Sequence, residues 1–181
     1  DHFRIISSAA TRERDKFHIN KHLVKDVELK DVTDDYCVFG VFGPKSRALM
    51  KSISKDNFEN DNFRFSTAKY IIIEGIKIWT QRLSYVGELG YELYVKLKDA
   101  KKIYELLINN GKDFNLSNCG MHAMDIMRME SGFLHWGHDI SPEENQYQAG
   151  LSFTISSKKK DEFIGKKALE KIKKEKIKSR F

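Results

Sequence analysis

The pattern that most restricts the fold is a β-hairpin motif near the middle of the chain. Residues 68–73 and 76–82 are rich in β-branched and aromatic side chains, and Glu74 and Gly75 separate the two runs. Two such runs joined by two residues, the second of them glycine, are typical of antiparallel strands connected by a tight turn. The sequence therefore predicts a hairpin, and we expect residues 70–82 to lie centrally in a sheet.

Other segments show the periodicities of strands and helices. Strands are predicted over 3–6, 27–32, 36–42, 91–97 and 151–155, and helices from Thr11, over 46–53, over 99–110 with Asp99 as N-cap, over 121–131 and over 164–176. Residues 54–66 are rich in Asn, Asp, Lys and Phe, which predicts a loop or ragged strand that covers the sheet. This order favours an α+β fold, in which helices pack on a mixed or antiparallel sheet.

The second hairpin strand runs into a glycine-rich stretch that is suited to ligand binding. Gly87 and Gly90 bracket two residues, so the backbone can bend twice and bring Tyr85 close to Glu92. A carboxylate beside aromatic rings suits a flat, nitrogen-rich heterocycle, because the acid accepts hydrogen bonds while the rings cover its faces. The alternative is a glycine-rich β-loop with an exposed glutamate, and both interpretations fit the pattern.

Composition sets the class of protein. A chain of 181 residues with 40% hydrophobic and 12% aromatic residues can bury a sizeable core. The net charge is +6, and the lysines are spread along the chain with acidic residues between them, which is typical of a solvated surface. No nucleic-acid-binding motif accompanies the basic charge, so we expect no nucleic-acid partner. A basic rim would also suit an anionic ligand.

The cysteines and apolar segments indicate the compartment. Cys37 and Cys119 lie far apart and show no disulfide framework or metal-ligand spacing, so we interpret both as reduced and expect a cytoplasmic protein. No apolar run reaches the length of a membrane span and no signal peptide opens the chain, so we expect no membrane association.

His135 and His138 are three residues apart with Asp139 beside them, but this spacing alone is a weak metal signal, and we predict no metal site.

A series of motifs resembles the glycine cleavage T-protein (aminomethyltransferase) superfamily, whose members hold tetrahydrofolate. The run Tyr85-Val86-Gly87-Glu88-Leu89-Gly90-Tyr91-Glu92 is similar to the family motif Tyr-Thr-Gly-Glu-x-Gly-Tyr/Phe-Glu. Further blocks resemble the family in the same order at 119–120, 128–130, 132–140, 148–151 and 161–169. The version His-Trp-Gly-His-Asp-Ile at 135–140 most resembles the folate-binding halves of dimethylglycine and sarcosine dehydrogenases.

The resemblance implies four residues that bind the cofactor tetrahydrofolate. Glu92 would bind the pterin ring, and Tyr85 would lie against the folate. Phe133 stands where the family has an aromatic residue that packs on the ligand, and Trp136 matches a neighbouring aromatic of the same cavity. The alternative for Phe133 and Trp136 is an ordinary place in the hydrophobic core.

Two departures from the family pattern limit the catalytic assignment. T-proteins carry a folate-contacting arginine where this chain has Met124, which cannot form charge-assisted bonds and so favours the dehydrogenase-linked branch. The family's key aspartate lies upstream of the strand with which this chain begins, so we assign no catalytic residue. We expect residues 1–176 to be a folate-binding region without its N-terminal part and residues 177–181 to begin the family's C-terminal barrel. This chain alone is therefore not expected to transfer a carbon unit.

The resemblance implies a tetrahydrofolate-dependent one-carbon transferase that takes its carbon from a methylated amine, such as dimethylglycine or sarcosine, to give 5,10-methylenetetrahydrofolate. An FAD-dependent dehydrogenase domain would oxidise the amine, and FAD would bind elsewhere, because the chain has no Gly-x-Gly-x-x-Gly fingerprint. Two alternatives stay open: a methyltransferase or demethylase of the same superfamily that acts on a sulfonium substrate, and a non-catalytic folate-binding module that aids iron-sulfur protein maturation.

Overall fold

The structure is a computed structural model that describes residues 2–156 and 158–174. The chain divides into two compact units. The first unit holds Asp1–Ser84 and Glu88–Asn118, and the second holds Tyr85–Gly87 and Cys119–Phe181. The short segment Tyr85–Gly87 thus belongs to the second unit, although the residues on both sides of it belong to the first.

The first unit is built on a four-stranded antiparallel sheet. Its strands are β1 (Tyr36–Phe42), β2 (Ala68–Ile73), β3 (Ile76–Gln81) and β4 (Gly90–Lys96), and they lie in the order β1-β4-β3-β2. The predicted hairpin is confirmed as β2 and β3. Its predicted central position is wrong, because β2 forms one edge of the sheet while β4 pairs with both β1 and β3.

Two helices cover one face of this sheet and enclose the hydrophobic core. They are α2 (Ser46–Ile53) and α3 (Leu97–Gly111), which contact each other and β4. Side chains alternate along each strand, so every second residue points to the helices. The buried cluster consists of Val41, Leu49, Met50, Phe58, Phe63, Ile71, Ile73, Ile78, Tyr91, Leu93, Val95, Ile103 and Leu107. This packing confirms the predicted α+β class.

The segment between α2 and β2 covers the sheet as predicted. Phe58 and Phe63 are buried, and their ring centroids lie 5.5 and 5.6 Å from that of Tyr91 on β4. Aromatic rings at these distances contribute about 0.5 to 1.5 kcal/mol per pair beyond the area they bury. The loop is therefore anchored by its phenylalanines and also by backbone contacts at its two ends, where Ser54 bridges Ile73 and the Ser66 N–H donates to the Arg82 carbonyl oxygen at 2.9 Å.

The segment that precedes β1 contains a helix, α1 (Arg12–His22), but neither of the two predicted strands. Residues 3–6 and 27–32 form no ladder within the part of the chain that the structure describes. Arg12 instead ties the segment together, because its Nε donates to Asp31 at 2.8 Å and its two terminal nitrogens donate to Asp34. Alternating side chains were not sufficient here, since a strand also needs a hydrogen-bonding partner.

Both ends of α3 differ from the prediction. The helix begins at Leu97, so Asp99 lies in its first turn and is not the N-cap. Gly111 is its last residue, and an added Cβ there would lie 2.4 Å from Cδ2 of Leu116. A glycine is thus required at position 111 because the following segment packs closely against it, and not because the helix has to end there.

The second unit contains α4 (Met121–Glu130) and α5 (Lys166–Lys174), with loops between them. The predicted strand over 151–155 is wrong, because Ser152–Thr154 form a short 3-10 helix in which backbone N–H groups bond to carbonyls three residues earlier. Residues 175 and 176 of the predicted last helix, and the predicted barrel segment 177–181, lie outside the described residues. No helix in the described ranges is both long and apolar enough to cross a membrane.

Candidate functional site

The sheet face opposite α2 and α3 carries Glu92, the predicted ligand-binding carboxylate. Because side chains alternate along β4, Glu92, Tyr94 and Lys96 share this second face, while the residues between them face the core. Ladder partners on the other strands extend each of these positions into a row across the sheet. The face therefore consists of three successive rows of different chemistry.

The first row presents a carboxylate beside an amide. Glu92 lies opposite Gln81 on β3 and Gly40 on β1, and both polar side chains are partly buried. The hydroxyl of Tyr94 donates a hydrogen bond of 2.7 Å to Oε2 of Glu92. A carboxylate accepts hydrogen bonds and an amide both donates and accepts them. Together they can bind the edge of a ring that has several N–H and carbonyl groups.

The second row is aromatic and apolar: it consists of Val38, Tyr94, Trp79 and Tyr70. The ring centroids of Trp79 and Tyr94 are 4.8 Å apart, with an angle of 60° between the planes. Burial, and then the hydrogen bond to Glu92, raise the pKa of the Tyr94 hydroxyl. Tyr94 therefore stays protonated and donates to Glu92 throughout the physiological pH range. The row forms a partly covered aromatic surface directly beside the carboxylate.

The third row is basic. Lys96 lies opposite Tyr36, and the β3–β4 register, continued by two residues, places Lys77 opposite Lys96. A cavity of about 170 Å³ is lined by residues of the second and third rows and by Arg4. A larger cavity of about 330 Å³ is lined by the segment before β1 and by three residues of this face, Tyr36, Val38 and Tyr94. Neither cavity is lined by Glu92 or Gln81, so the concave part of the face lies at its second and third rows.

Two of the predicted site residues lie together in the second unit. The rings of Tyr85 and Phe133 are stacked, with an angle of 13° between planes and a centroid distance of 6.1 Å. The Tyr85 hydroxyl donates to the carbonyl oxygen of Leu134 at 2.9 Å, and burial raises its pKa. Phe133 is 39% exposed and Trp136 is 41% exposed, so neither is an ordinary core residue of this chain.

Arg128 organises the loop that follows α4. Its side chain is 5% exposed, and Nε donates to Asp125 Oδ1 at 2.8 Å. Nη1 donates to the carbonyl oxygen of Phe133 and to Asp139, which also accepts the backbone N–H of His135. These bonds lower the pKa of both carboxyls, that of Asp125 mainly through Arg128 and that of Asp139 mainly through the His135 N–H. Charge-assisted bonds of this kind are short and strong, so they fix the loop that carries Phe133.

The histidine pair lies in the same loop. The rings of His135 and His138 have a centroid distance of 4.4 Å, and Nδ1 of His135 is 3.6 Å from Oδ1 of Asp125. Asp139, the third ligand that the sequence offers, accepts bonds from Arg128 and from a backbone N–H instead. Across residues 2–156 and 158–174, no group of three or more His, Cys, Asp or Glu side chains is arranged to hold a metal ion.

Glu92 and Tyr85 belong to different units, and their predicted proximity stays a prediction. The folate contacts predicted for Tyr85, Glu92, Phe133 and Trp136 stay predictions as well. Gln81, Trp79 and Tyr94 are not among the site residues predicted from the sequence. A signal for Tyr94 was present, since it follows Glu92 by two residues on a strand and must share its face. Gln81 and Trp79 could not be found in this way, because the register of β3 against β4 determines their place.

Comparison with known families gives a match over most of the chain. Residues 1–159 match the family model of the GCVT N-terminal domain. The chain belongs to this family. The solved structure of the glycine cleavage system aminomethyltransferase T from Bartonella henselae superposes on this GCVT N-terminal domain with a TM-score of 0.73 at 22% identity, over 92% of this chain and 44% of that one. This similarity confirms the predicted aminomethyltransferase-like fold.

Curated relatives of this GCVT N-terminal domain include dehydrogenases and transferases. Human mitochondrial dimethylglycine dehydrogenase is 34% identical over 98% of this chain, and the formaldehyde-forming 4-methylaminobutanoate oxidase of Paenarthrobacter nicotinovorans is 36% identical over 95%. The aminomethyltransferase of Anoxybacillus flavithermus is 29% identical over 97%. The chain spans 21% of the length of each of the first two proteins and 48% of the third. The resemblance to the T-protein superfamily is therefore confirmed.

Proposed function

We propose that this chain binds tetrahydrofolate as part of a one-carbon transferase, similar to the glycine cleavage T-protein, that acts on a methylated amine. Membership of the GCVT N-terminal domain family supports the transferase class. The methylated amine is supported by the names of two relatives, a dimethylglycine dehydrogenase and a 4-methylaminobutanoate oxidase. Dimethylglycine and sarcosine are the donors that we propose.

One observation carries the proposal: Glu92 stands beside Gln81 at the edge of an aromatic row. The pterin ring of folate has several N–H donors and a carbonyl along one edge, and its faces are flat and apolar. The donors and acceptors of the first row match that edge, and Trp79 and Tyr94 of the second row can cover apolar surface. The residues present therefore fit the cofactor. When bound, tetrahydrofolate supplies the nitrogen atoms that accept a one-carbon unit.

Each residue of this face has a distinct proposed role. Glu92 accepts hydrogen bonds from the pterin N–H groups through Oε1. Tyr94 donates to Oε2, so it orients the carboxylate without competing for the ligand. The side-chain amide of Gln81 bonds the polar ring edge. Tyr85, Phe133 and Trp136 are assigned to folate contact only by the family resemblance, and their roles stay predictions.

Two wider features of the function are also proposals. An FAD-dependent dehydrogenase domain is the proposed partner, since the relatives include a dehydrogenase and an oxidase. FAD would bind outside this chain, which has no Gly-x-Gly-x-x-Gly fingerprint. The cytoplasmic location inferred from the cysteines stays a prediction.

Isothermal titration calorimetry with 5-formyltetrahydrofolate, an air-stable form of the cofactor, tests the proposal. Glu92→Gln removes the charge but keeps the shape, and we expect affinity to fall by about 1 to 3 kcal/mol, the usual contribution of a charged hydrogen bond. Glu88→Gln is the matched control, because Glu88 is an exposed acid in the same glycine-rich stretch. Equal affinities for the two variants would show that Glu92 does not bind the pterin ring. A wild-type chain that binds no folate would refute the proposed function.

A further inference from the structure

The third row of the sheet face places like charges beside each other. Lys77 and Lys96 lie opposite each other in the continued register of β3 and β4, and both line the cavity of about 170 Å³. Arg4, from the segment before β1, lines the same cavity. Like charges on directly opposite strand positions destabilise a sheet. A cluster of this kind is therefore costly to the folded chain alone.

Each of these three cations lies over an aromatic ring. The guanidinium carbon of Arg4 is 4.2 Å from the centroid of a Trp79 ring, and Nζ of Lys96 is 4.0 Å from that of Tyr36. Nζ of Lys77 lies 4.4 Å from the ring of the neighbouring Tyr70. Ring faces attract cations by about 0.5 to 1 kcal/mol at exposed sites, which holds the charges near the cavity but leaves their net charge in place.

These cations differ from the basic residues of the first unit that form ion pairs. Arg12 pairs with Asp31 and Asp34, and Lys51 pairs with Glu59. Among the described residues, Arg4, Lys77 and Lys96 have no carboxylate within 4.0 Å. Three positive charges at the rim of one concave surface raise the local concentration of anions. The third row is thus suited to an anionic group.

The distance between this basic row and Glu92 indicates which anionic ligand would fit the face. Glu92 and Lys96 are four residues apart on β4, which corresponds to about 14 Å at 3.4 Å per residue. Over that distance the face changes from carboxylate and amide, through aromatic rings, to cations. Tetrahydrofolate has the same order of chemistry: a polar pterin, an aromatic aminobenzoyl ring and a glutamate with two carboxylates.

We propose that Arg4, Lys77 and Lys96 bind the glutamate carboxylates of tetrahydrofolate, with its aminobenzoyl ring over the Trp79–Tyr94 row. This assignment rests on the proposed function. A single-stranded nucleic acid is the other class of ligand that basic and aromatic sheet faces bind. The glutamate fits better, because a strand of phosphates along the face would bring negative charge to Glu92 at its far end.

The test compares a ligand that carries the glutamate with one that ends in an uncharged carboxamide. The 5-formyl derivatives of tetrahydrofolate and of tetrahydropteroic acid amide, in which a carboxamide replaces the glutamate, are titrated into the chain at low and physiological salt. In the wild type we expect tetrahydrofolate to bind about tenfold tighter, since each exposed ion pair that the two carboxylates form contributes a factor of about 1.4 to 5. The ratio should fall as salt rises, because exposed charges are screened.

The triple variant Arg4→Gln, Lys77→Gln, Lys96→Gln should bring the ratio of the two affinities close to one while binding of the pteroic acid amide is retained. The matched control, Lys98→Gln, Lys101→Gln, Lys102→Gln, removes the same charge from exposed positions of α3 and should keep the wild-type ratio. A ratio unchanged in the first variant would overturn the assignment and leave the proposed function standing, whereas a wild-type chain that binds neither ligand would overturn both.

A third titration uses a 20-residue oligothymidylate. We expect no binding at physiological salt. Binding that competes with tetrahydrofolate and is lost in the Arg4, Lys77 and Lys96 variant would assign this face to nucleic acid instead.

Discussion

Tyr94 and Glu92, two residues apart on β4, are joined by a hydrogen bond of 2.7 Å from the phenolic hydroxyl to Oε2 of the carboxylate. The tyrosine is 8% exposed and its ring packs against Trp79. The Oε2 atom of Glu92 is therefore held by a buried group of the protein, and the Oε1 atom can face a bound pterin.

The first prediction concerns Tyr94→Phe, which removes this hydrogen bond and keeps the ring. We expect 5-formyltetrahydrofolate affinity to fall about fivefold, less than in Glu92→Gln, because the carboxylate keeps its charge but loses its orientation. Tyr70→Phe removes a hydroxyl from the same row and should leave affinity unchanged. Calorimetry measures the affinity of both variants. An equal loss of affinity in Tyr94→Phe and Tyr70→Phe would show that Tyr94 does not act through Glu92.

The second prediction concerns the glycine at the start of the glycine-rich stretch. Gly87 has φ of +75°, and an added Cβ would lie 2.1 Å from Oγ of Ser131. Gly132 has φ of +73°, but among the described residues other than its two chain neighbours no atom lies within 4 Å of the position of an added Cβ. Gly132→Ala should cost about 1 to 2 kcal/mol for the left-handed backbone, and Gly87→Ala should cost clearly more. Urea unfolding measures both, and equal costs would exclude the steric contribution of Ser131.

The third prediction concerns the loop held by Arg128. Arg128→Lys keeps the charge but cannot bond Asp125, the Phe133 carbonyl and Asp139 with one planar group. Faster hydrogen exchange in a peptide covering 131–140 is expected, together with weaker protection of the Leu134–Tyr85 region. Arg14→Lys, an exposed change in the other unit, is the control. Unchanged exchange in Arg128→Lys would show that the loop is ordered by other contacts.

The fourth prediction is a pH dependence of the same loop. The pKa values of Asp125 and Asp139 are lowered in the folded chain, so their contribution to stability is fully present above the unfolded value of about 3.9. It is lost as pH falls through the lower, folded pKa. Exchange protection of 131–140 should therefore persist from pH 7 to about 5 and decline below about 4.

Asp139→Asn should weaken that protection already at neutral pH and flatten its decline in acid. Asp161→Asn changes an exposed aspartate of the same unit and should behave as the wild type. A wild-type acid profile in Asp139→Asn would show that this carboxylate does not couple the loop to pH.

Much of the fold was predictable because its signals are local. The bounds of α2 were predicted as Ser46 to Ile53 and those of β1 as Tyr36 to Phe42, and the structure has the same residues. Gly43-Pro44 marks a boundary of both elements, because it ends the apolar run of β1 and precedes the 3.6-residue apolar period of α2. Glu92 was singled out in the same way, from a motif within eight residues of chain.

Pairing was not predictable, because it depends on contacts between residues that are distant in sequence. Strands were predicted at 3–6, 27–32 and 151–155 as well as over β1, yet these three segments form no strand in the described part of the chain. Arg128 and Asp125 are three residues apart on α4, a spacing that the sequence displays, whereas the bond from Arg128 to Asp139 depends on how the loop folds back.

The sequence by itself determined that a hairpin forms at Glu74-Gly75, the bounds of β1 and α2, and the family to which the chain belongs. The tertiary structure alone decided the strand order and the register, and these place Gln81 beside Glu92 and Trp79 beside Tyr94. The physical reason is that periodicity is encoded residue by residue, whereas register is chosen by the packing of the whole buried face, since a shift of one residue would turn every side chain to the other side.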